Sequence, residues 1–243
     1  MARRRFFVAE VRRGYAELTG ADAEHLVRVL RAEAGELHEI SNNATVYLAE
    51  IEEARKSRVL FRVVEELPVP ATSVVSILLP ALFKFDRFEW LVEKATELGI
   101  EVLAPWEAIR TERGLAQAAA KRSARWERIA LEASQQARRA RLPRVERVVR
   151  LEEALATPAT VKLLLDEDAG ARPLRQVLPE RRCASDRVAL LSGPEGGLTD
   201  NEREQAIAAG WKSCSLGHTI LRAETAPIAG LAIIQAEWQG AND

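Results

Sequence analysis

Residues 71–243 are expected to form an α/β domain with a mainly parallel sheet, preceded over residues 1–70 by a small β-rich module. Three observations carry this expectation. Short buried-strand runs at 74–79, 161–165 and 188–192, the first carrying β-branched residues, and further short strands at 100–103 and 213–216 alternate with stretches of helical periodicity, the pattern of buried parallel strands joined by crossover helices. Upstream, several short alternating or β-branched runs surround a single helical segment. Between the two zones, Pro68-Val69-Pro70 reads as a linker.

In the first zone, residues 6–8, 16–18, 36–40, 45–51 and 59–64 are expected strands, the later ones separated by polar turns such as Ser41-Asn42-Asn43. Residues 21–30 are an expected helix, capped by Asp22 and burying His25, Leu26, Val29 and Leu30 on one face. In the second zone, residues 86–98 carry Phe88, Leu91, Val92, Ala95 and Leu98 on one stripe, with Gly99 as the stop. Residues 121–141 read as a long helix with an apolar stripe of Trp126, Ile129, Ala130, Ala133 and Ala137, ended by Leu142-Pro143 because the residue before proline leaves the helical region. Thr199-Asp200-Asn201-Glu202 is a capping box opening a helix over 199–209. A final helix is expected over 224–238.

The net charge of −1 conceals an uneven distribution: residues 110–150 hold 12 basic and 4 acidic side chains in a chain otherwise acidic. Such a patch suits a polyanionic partner, or is a solvated helix face rich in arginine. Cys183 and Cys214 lie far apart, and the histidines are His25, His38 and His218; no metal-ligand spacing results, and two reduced thiols are expected. No apolar run reaches membrane-spanning length, and the basic start lacks the apolar stretch of a signal peptide, so a cytoplasmic protein without metal or membrane partner is expected.

Two loops stand out, each between an expected strand and a helix. The first is Leu191-Ser192-Gly193-Pro194-Glu195-Gly196-Gly197, the second Leu216-Gly217-His218-Thr219-Ile220-Leu221-Arg222-Ala223-Glu224-Thr225-Ala226. Glycines let the backbone turn sharply and come close to a ligand, and ligands of open α/β sheets lie beyond the carboxyl ends of strands. Neither loop is a G-x-G-x-x-G or a P-loop. A tight turn without a ligand is the alternative.

These loops resemble the cofactor loops of the family that methylates N3 of a uridine in 16S ribosomal RNA, a family of the SPOUT superfamily. The likeness extends to Lys84 and Arg87 through Gly99, to Trp126, Ile129, Glu132-Ala133, Gln136, Arg139 and Leu142-Pro143, and to His25-Leu26 with Val29-Leu30-Arg31, which is similar to an amino-terminal PUA-like domain. His218, Gln135, Ala137 and Arg138 depart from the family pattern. The resemblance implies S-adenosylmethionine as cofactor, a trefoil knot at the carboxy-terminal end, a homodimer, and the small ribosomal subunit's 16S rRNA as partner. It assigns the cofactor to Leu191, Ser192, Gly193, Pro194, Glu195, Gly196, Gly197, Leu216, Gly217, Ile220, Leu221, Arg222, Thr225 and Ala226. The apolar residues Ile228, Leu231, Ile234 and Trp238 of the last helix are an expected dimer face, or else a stripe that packs inside its own subunit.

Methyl transfer to N3 requires loss of a weakly acidic proton. Arg222 is the candidate catalytic residue, stabilising negative charge on the uracil oxygens, or else it pairs with Glu195 or Glu224 and holds the loop. Glu195 is a base or a backbone cap, and His218 a titrating group or a surface residue. Arg28, Arg31, Lys121, Arg122, Arg125, Arg138, Arg139 and Arg141, with Arg3 to Arg5, are the expected phosphate contacts. The rival readings are a SPOUT enzyme acting on another nucleotide and a non-catalytic rRNA-binding assembly factor.

Overall fold

The computed structural model describes residues 4–69, 74–168 and 170–239. Arg3, Pro70 and the expected boundary at 70/71 lie outside the described residues. The chain divides into two compact units: residues 1–71 with Leu131–Leu142, and Thr72–Ala130 with Pro143–Asp243.

The first unit holds β1 (Arg5–Phe7), β2 (Val11–Arg12), β3 (Tyr15–Thr19), α1 (Gly20–Glu24), β4 (Leu37–Ser41), β5 (Val46–Arg55) and β6 (Arg58–Leu67). They form one sheet in the order β1-β4-β5-β6-β3-β2, with β1–β4 parallel and the remaining pairs antiparallel. Phe6, Leu18, Leu26, Ile40, Ile51 and Phe61 make its core. The helix differs from expectation. Thr19, not Asp22, occupies the N-cap, and α1 passes into a wide π turn over His25–Val29. Five-residue hydrogen bonding rotates the face of the helix, so Ala23 and Leu26 are buried while Val29 is 64% and Leu30 42% exposed.

The segment Leu131–Leu142 belongs to this first unit although a division at the Pro68–Pro70 region assigns it to the second. Ser41 Oγ donates to the carbonyl of Ala140 (2.6 Å), and the N–H of Leu142 donates to Asn43 Oδ1 (2.7 Å). Glu39, buried in the sheet, accepts from Arg5 (2.8 Å) and from Arg138.

The second unit contains β7 (Val75–Pro80), α2 (Phe85–Glu97), β8 (Val102–Leu103), β9 (Trp106–Glu107), α3 (Leu115–Ala119), α4 (Ser123–Gln136, from Leu131 onward in the first unit), β10 (Arg144–Val145), β11 (Val149–Arg150), α5 (Leu151–Leu155), β12 (Val161–Leu165), β13 (Arg172–Pro173), α6 (Leu174–Val177), β14 (Arg187–Ser192), α7 (Asp200–Ala208), β15 (Lys212–Ser215) and α8 (Thr225–Gln239). A seven-stranded, wholly parallel sheet runs β10-β8-β7-β14-β12-β15-β13. Successive strand residues point to opposite faces. Leu78, Leu163 and Leu190 therefore join one core layer with Phe88, Trp126, Leu231, Ile234 and Trp238, while Ile77, Leu79, Leu164 and Leu191 join another with Trp106 and Trp211. A sheet covered on both faces explains why its strands β7, β12 and β14 read as largely apolar runs.

Two expectations are corrected here. The long helix ends at Gln136 rather than at Arg141: Arg138 takes φ +54°, a left-handed turn, and the N–H of Arg139 bonds back to Ser134. The stripe on α8 is no dimer face either. Leu231, Ile234 and Trp238 are buried within the unit, and Gly230 approaches the sheet so closely that a Cβ there would lie 2.9 Å from Leu190 Cδ2. The capping box of α7 forms as expected. Among the described residues no helix is long and apolar enough to cross a membrane.

Candidate functional site

Strands β14, β12 and β15 lie side by side and parallel, so their carboxyl ends open at one edge of the sheet. A cavity of about 400 Å³ lies there, between the two glycine-bearing loops, where open α/β sheets hold ligands. Of the residues singled out in the sequence, Ser192, Gly193, Pro194, Glu195, Gly197, Leu216, Gly217, Ile220, Leu221, Arg222 and Ala226 line it. Leu191, Gly196 and Thr225 do not: Leu191 is fully buried in a core layer, Gly196 lies against Arg110, and Thr225 opens α8.

The loops are shaped by different constraints. Gly217 has φ +134° with open space around it, so the backbone angle alone requires glycine. Gly193 has no such angle, but a Cβ there would lie 3.1 Å from Leu198 Cγ. The first loop is braced from outside: Arg110 Nη1 donates to the carbonyls of Gly196 (2.9 Å) and Leu198 (3.2 Å). Trp106 Nε1 donates to the carbonyl of Ser192 (3.2 Å), and Glu202 accepts from the N–H groups of Thr199 and Ile109 (both 2.8 Å).

Sequence reasoning misses a set of charged wall residues, Arg87, Asp166, Glu167 and Arg203. The signal for Asp166 and Glu167 is their place immediately beyond strand 161–165; Arg87 and Arg203 come from helices remote in sequence. Glu195 pairs with Arg87 (2.8 Å), and Glu224 lies 3.9 Å from the same guanidinium. Neither forms an ion pair with Arg222, which is exposed on the cavity wall. Asp166 accepts from Arg203 Nε (2.8 Å) and Ser213 Oγ (3.1 Å), and its hydrogen bond raises the Arg203 pKa above the ordinary arginine value. Burial, aided by Asp166, pushes the Cys214 thiol up to about 12, so it stays protonated and is no nucleophile. Among the buried polar atoms of the described residues that find no protein partner, two lie in these loops: Ser192 Oγ, on the cavity wall, and Glu224 Oε2. Orphaned buried oxygens of this kind call for a ligand or water. No group of three or more His, Cys, Asp or Glu among the described residues is placed to hold a metal ion.

The expected phosphate contacts divide by their partners. In the second unit, Arg122 and Arg125 both pair with Glu89 (3.1 and 2.7 Å), and Arg122 stacks over Phe85; Lys121 is exposed. In the first unit, Arg138 is paired with Glu39 and Arg28 lies 4.0 Å from Glu24, while Arg31 and Arg141 are exposed.

Residues 70–235 match the RNA methyltransferase domain family, and residues 18–64 match the RNA methyltransferase PUA domain. The chain is 36% identical to the ribosomal RNA small subunit methyltransferase E of Synechocystis, over 90% of this chain and 72% of that one. It is 29% identical to the protein of the same name from Bacillus subtilis, over 91% and 90%. Two solved structures, both with bound S-adenosylmethionine, share the fold at 28% identity: ribosomal RNA small subunit methyltransferase E of Neisseria gonorrhoeae (TM-score 0.86, covering 97% of this chain and 98% of that one) and a methyltransferase of Legionella pneumophila (TM-score 0.88, covering 98% of both). By sequence and by fold, the chain belongs to the RNA methyltransferase domain family, with an RNA methyltransferase PUA domain ahead of that domain.

Proposed function

We propose that this protein methylates N3 of a uridine in the 16S rRNA of the small ribosomal subunit, using S-adenosylmethionine, and that it works as a homodimer in the cytoplasm. One observation carries the reading: the cavity at the carboxyl ends of β14, β12 and β15, walled by both glycine loops. Its volume suits a nucleoside-sized ligand, and the unpartnered Ser192 Oγ in its wall offers that ligand a hydrogen bond. Ser192, Gly193, Gly197, Leu216, Gly217 and Leu221 would hold it largely through backbone groups. When bound, S-adenosylmethionine supplies an electrophilic methyl group on a sulfonium. The trefoil knot belongs to the same proposal: α8 follows β15 but returns across β12 to pack on β14, β7 and α2. Support for the homodimer is the resemblance together with Trp90 (44%) and Ile220 (80%), large apolar side chains left exposed.

The chain's own residues then divide the work. An in-line displacement gains most from positioning, which the braced loops provide. Arg222 faces the cavity without a carboxylate partner among the described residues, so its charge is available to the uracil oxygens of the uridine anion once the N3 proton has passed to solvent water. Glu195 and Glu224 instead fix Arg87. The test is Arg222→Ala assayed with small-subunit rRNA. Its kcat should fall by about one hundredfold or more, with calorimetric affinity for S-adenosylmethionine nearly unchanged. Loss of cofactor affinity with kcat preserved would make Arg222 a binding residue only.

A further inference from the structure

Two consecutive carboxylates follow β12, and they differ in what they do. Asp166 is saturated. Its side chain is 2% exposed, Oδ2 accepts from Arg203 and Ser213, and Oδ1 accepts from the N–H of Asp168 (3.2 Å). Glu167 is exposed on the cavity wall and has neither a hydrogen bond nor an ion pair with any described residue. Its carboxylate nonetheless has a defined seat. Glu167 Oε1 lies 2.9 Å from the point where a Cβ on Gly197 would stand, so the missing side chain of that glycine is what lets the carboxylate lie against the first loop. Across the same cavity Ser192 Oγ, on a residue only 3% exposed, also lacks a partner. A charged acceptor with two free oxygens, at the carboxyl end of a parallel strand and against a glycine loop, is placed as acidic residues are placed in nucleotide-binding sheets to hold ribose hydroxyls.

We propose that Glu167 accepts hydrogen bonds from the 2′- and 3′-hydroxyls of the cofactor's ribose, making it the residue that selects a ribonucleoside ligand. The inference rests on the reading that S-adenosylmethionine occupies this cavity. Two vicinal hydroxyls present two O–H donors on one side of the sugar, matching the two carboxylate oxygens. Asp166 is poorly suited to this role, because both its oxygens already accept hydrogen bonds and its side chain is 2% exposed. The other groups a carboxylate could meet on such a ligand are cationic, the sulfonium and the α-ammonium, and the experiment separates them.

S-adenosylhomocysteine and its 2′,3′-dideoxy analogue are titrated calorimetrically into the unaltered protein, Glu167→Gln and Glu167→Ala. Folding is checked by circular dichroism, and the exposed position makes all three comparable. Removing the carboxylate or removing the diol should each weaken binding about tenfold or more. Removing both should cost little beyond either alone, and Glu167→Gln should fall between. If Glu167→Ala loses the same factor against the dideoxy analogue as against the parent ligand, the carboxylate serves another group and the proposal is overturned. Equal affinity of Glu167→Ala and unaltered protein for S-adenosylhomocysteine would overturn it as well. Should the unaltered protein bind neither ligand, the cofactor reading of the cavity fails and this inference falls with it.

Discussion

Arg138 pairs with the carboxylate of Glu39, a residue 6% exposed on strand β4 that also accepts from Arg5. A side chain that the sequence places among the phosphate-binding cations is thereby committed to holding the segment after α4 on the sheet of the first unit. Burial by itself would raise the Glu39 carboxyl; the hydrogen bonds and charges of Arg5 and Arg138 outweigh it and hold the group below the usual carboxylate range. A depressed folded-state pKa contributes stability that is present above the unfolded value, about 4.3, and lost as pH falls through the folded one. Glu39→Gln should therefore destabilise the protein by about 1–3 kcal/mol at neutral pH, and the difference from the unaltered protein should shrink on acidification below about pH 4.5. Urea unfolding across that range measures it; a difference independent of pH would mean that the pair adds nothing through ionisation.

Arg110, an exposed side chain, braces the first loop through the carbonyls of Gly196 and Leu198. Arg110→Ala should leave the fold intact and weaken cofactor binding about tenfold, the scale of a missing charge-assisted hydrogen bond. Unchanged affinity in a calorimetric titration would show that the loop keeps its shape without the brace.

The two loop glycines should fail in different ways. Gly217→Val forces a β-branched residue to φ +134° in open space, a strain of about 1–3 kcal/mol, so the loop moves and cofactor affinity drops about tenfold or more. Gly193→Val drives methyl groups into Leu198 and should weaken binding while also lowering the melting temperature, because Leu198 belongs to a core layer. A melting temperature lowered equally in both variants would contradict this distinction.

The legible part of the sequence is the part with a regular period. Buried parallel strands announce themselves as apolar runs, and the capping box at Thr199 and Glu202 forms as written. The glycine loops are legible because glycine marks backbone that must turn or be approached. Local pattern does not show where α4 ends. The proline rule puts the end at Arg141, just before Leu142-Pro143, whereas the left-handed Arg138, held by a glutamate 99 residues away, turns the chain earlier. Nor does periodicity distinguish a π turn from an α-helix, which is why Val29 and Leu30 are expected in the core and stand exposed. The charged wall of the cavity depends on strand order, and strand order is a long-range property.

For RNA binding the structure favours cations without a carboxylate to neutralise them. Lys121, Arg31 and Arg141 are exposed and form no ion pair with a described residue, whereas Arg122 and Arg138 are paired. Reversing charge at Lys121, Arg31 and Arg141 together should weaken rRNA binding. It should also reduce the slope of log affinity against log salt by roughly 0.7–0.9 for each phosphate that is no longer neutralised, with cofactor affinity unchanged. A salt slope equal to that of the unaltered protein would place the RNA elsewhere. Deleting residues 1–70 is a poorer test, since it also removes the partners of Arg138, Ala140 and Leu142.

The claim that this chain methylates N3 of a uridine in small-subunit rRNA is tested most directly by nucleoside mass spectrometry of 16S rRNA after incubation with the purified protein and S-adenosylmethionine carrying a labelled methyl group. Label is expected in N3-methyluridine, at one site, with an initial rate of labelling lower by about one hundredfold or more when Arg222→Ala replaces the unaltered protein. Label in a ribose-methylated nucleoside or in another base, or no label in RNA from a protein that binds the cofactor, would contradict it.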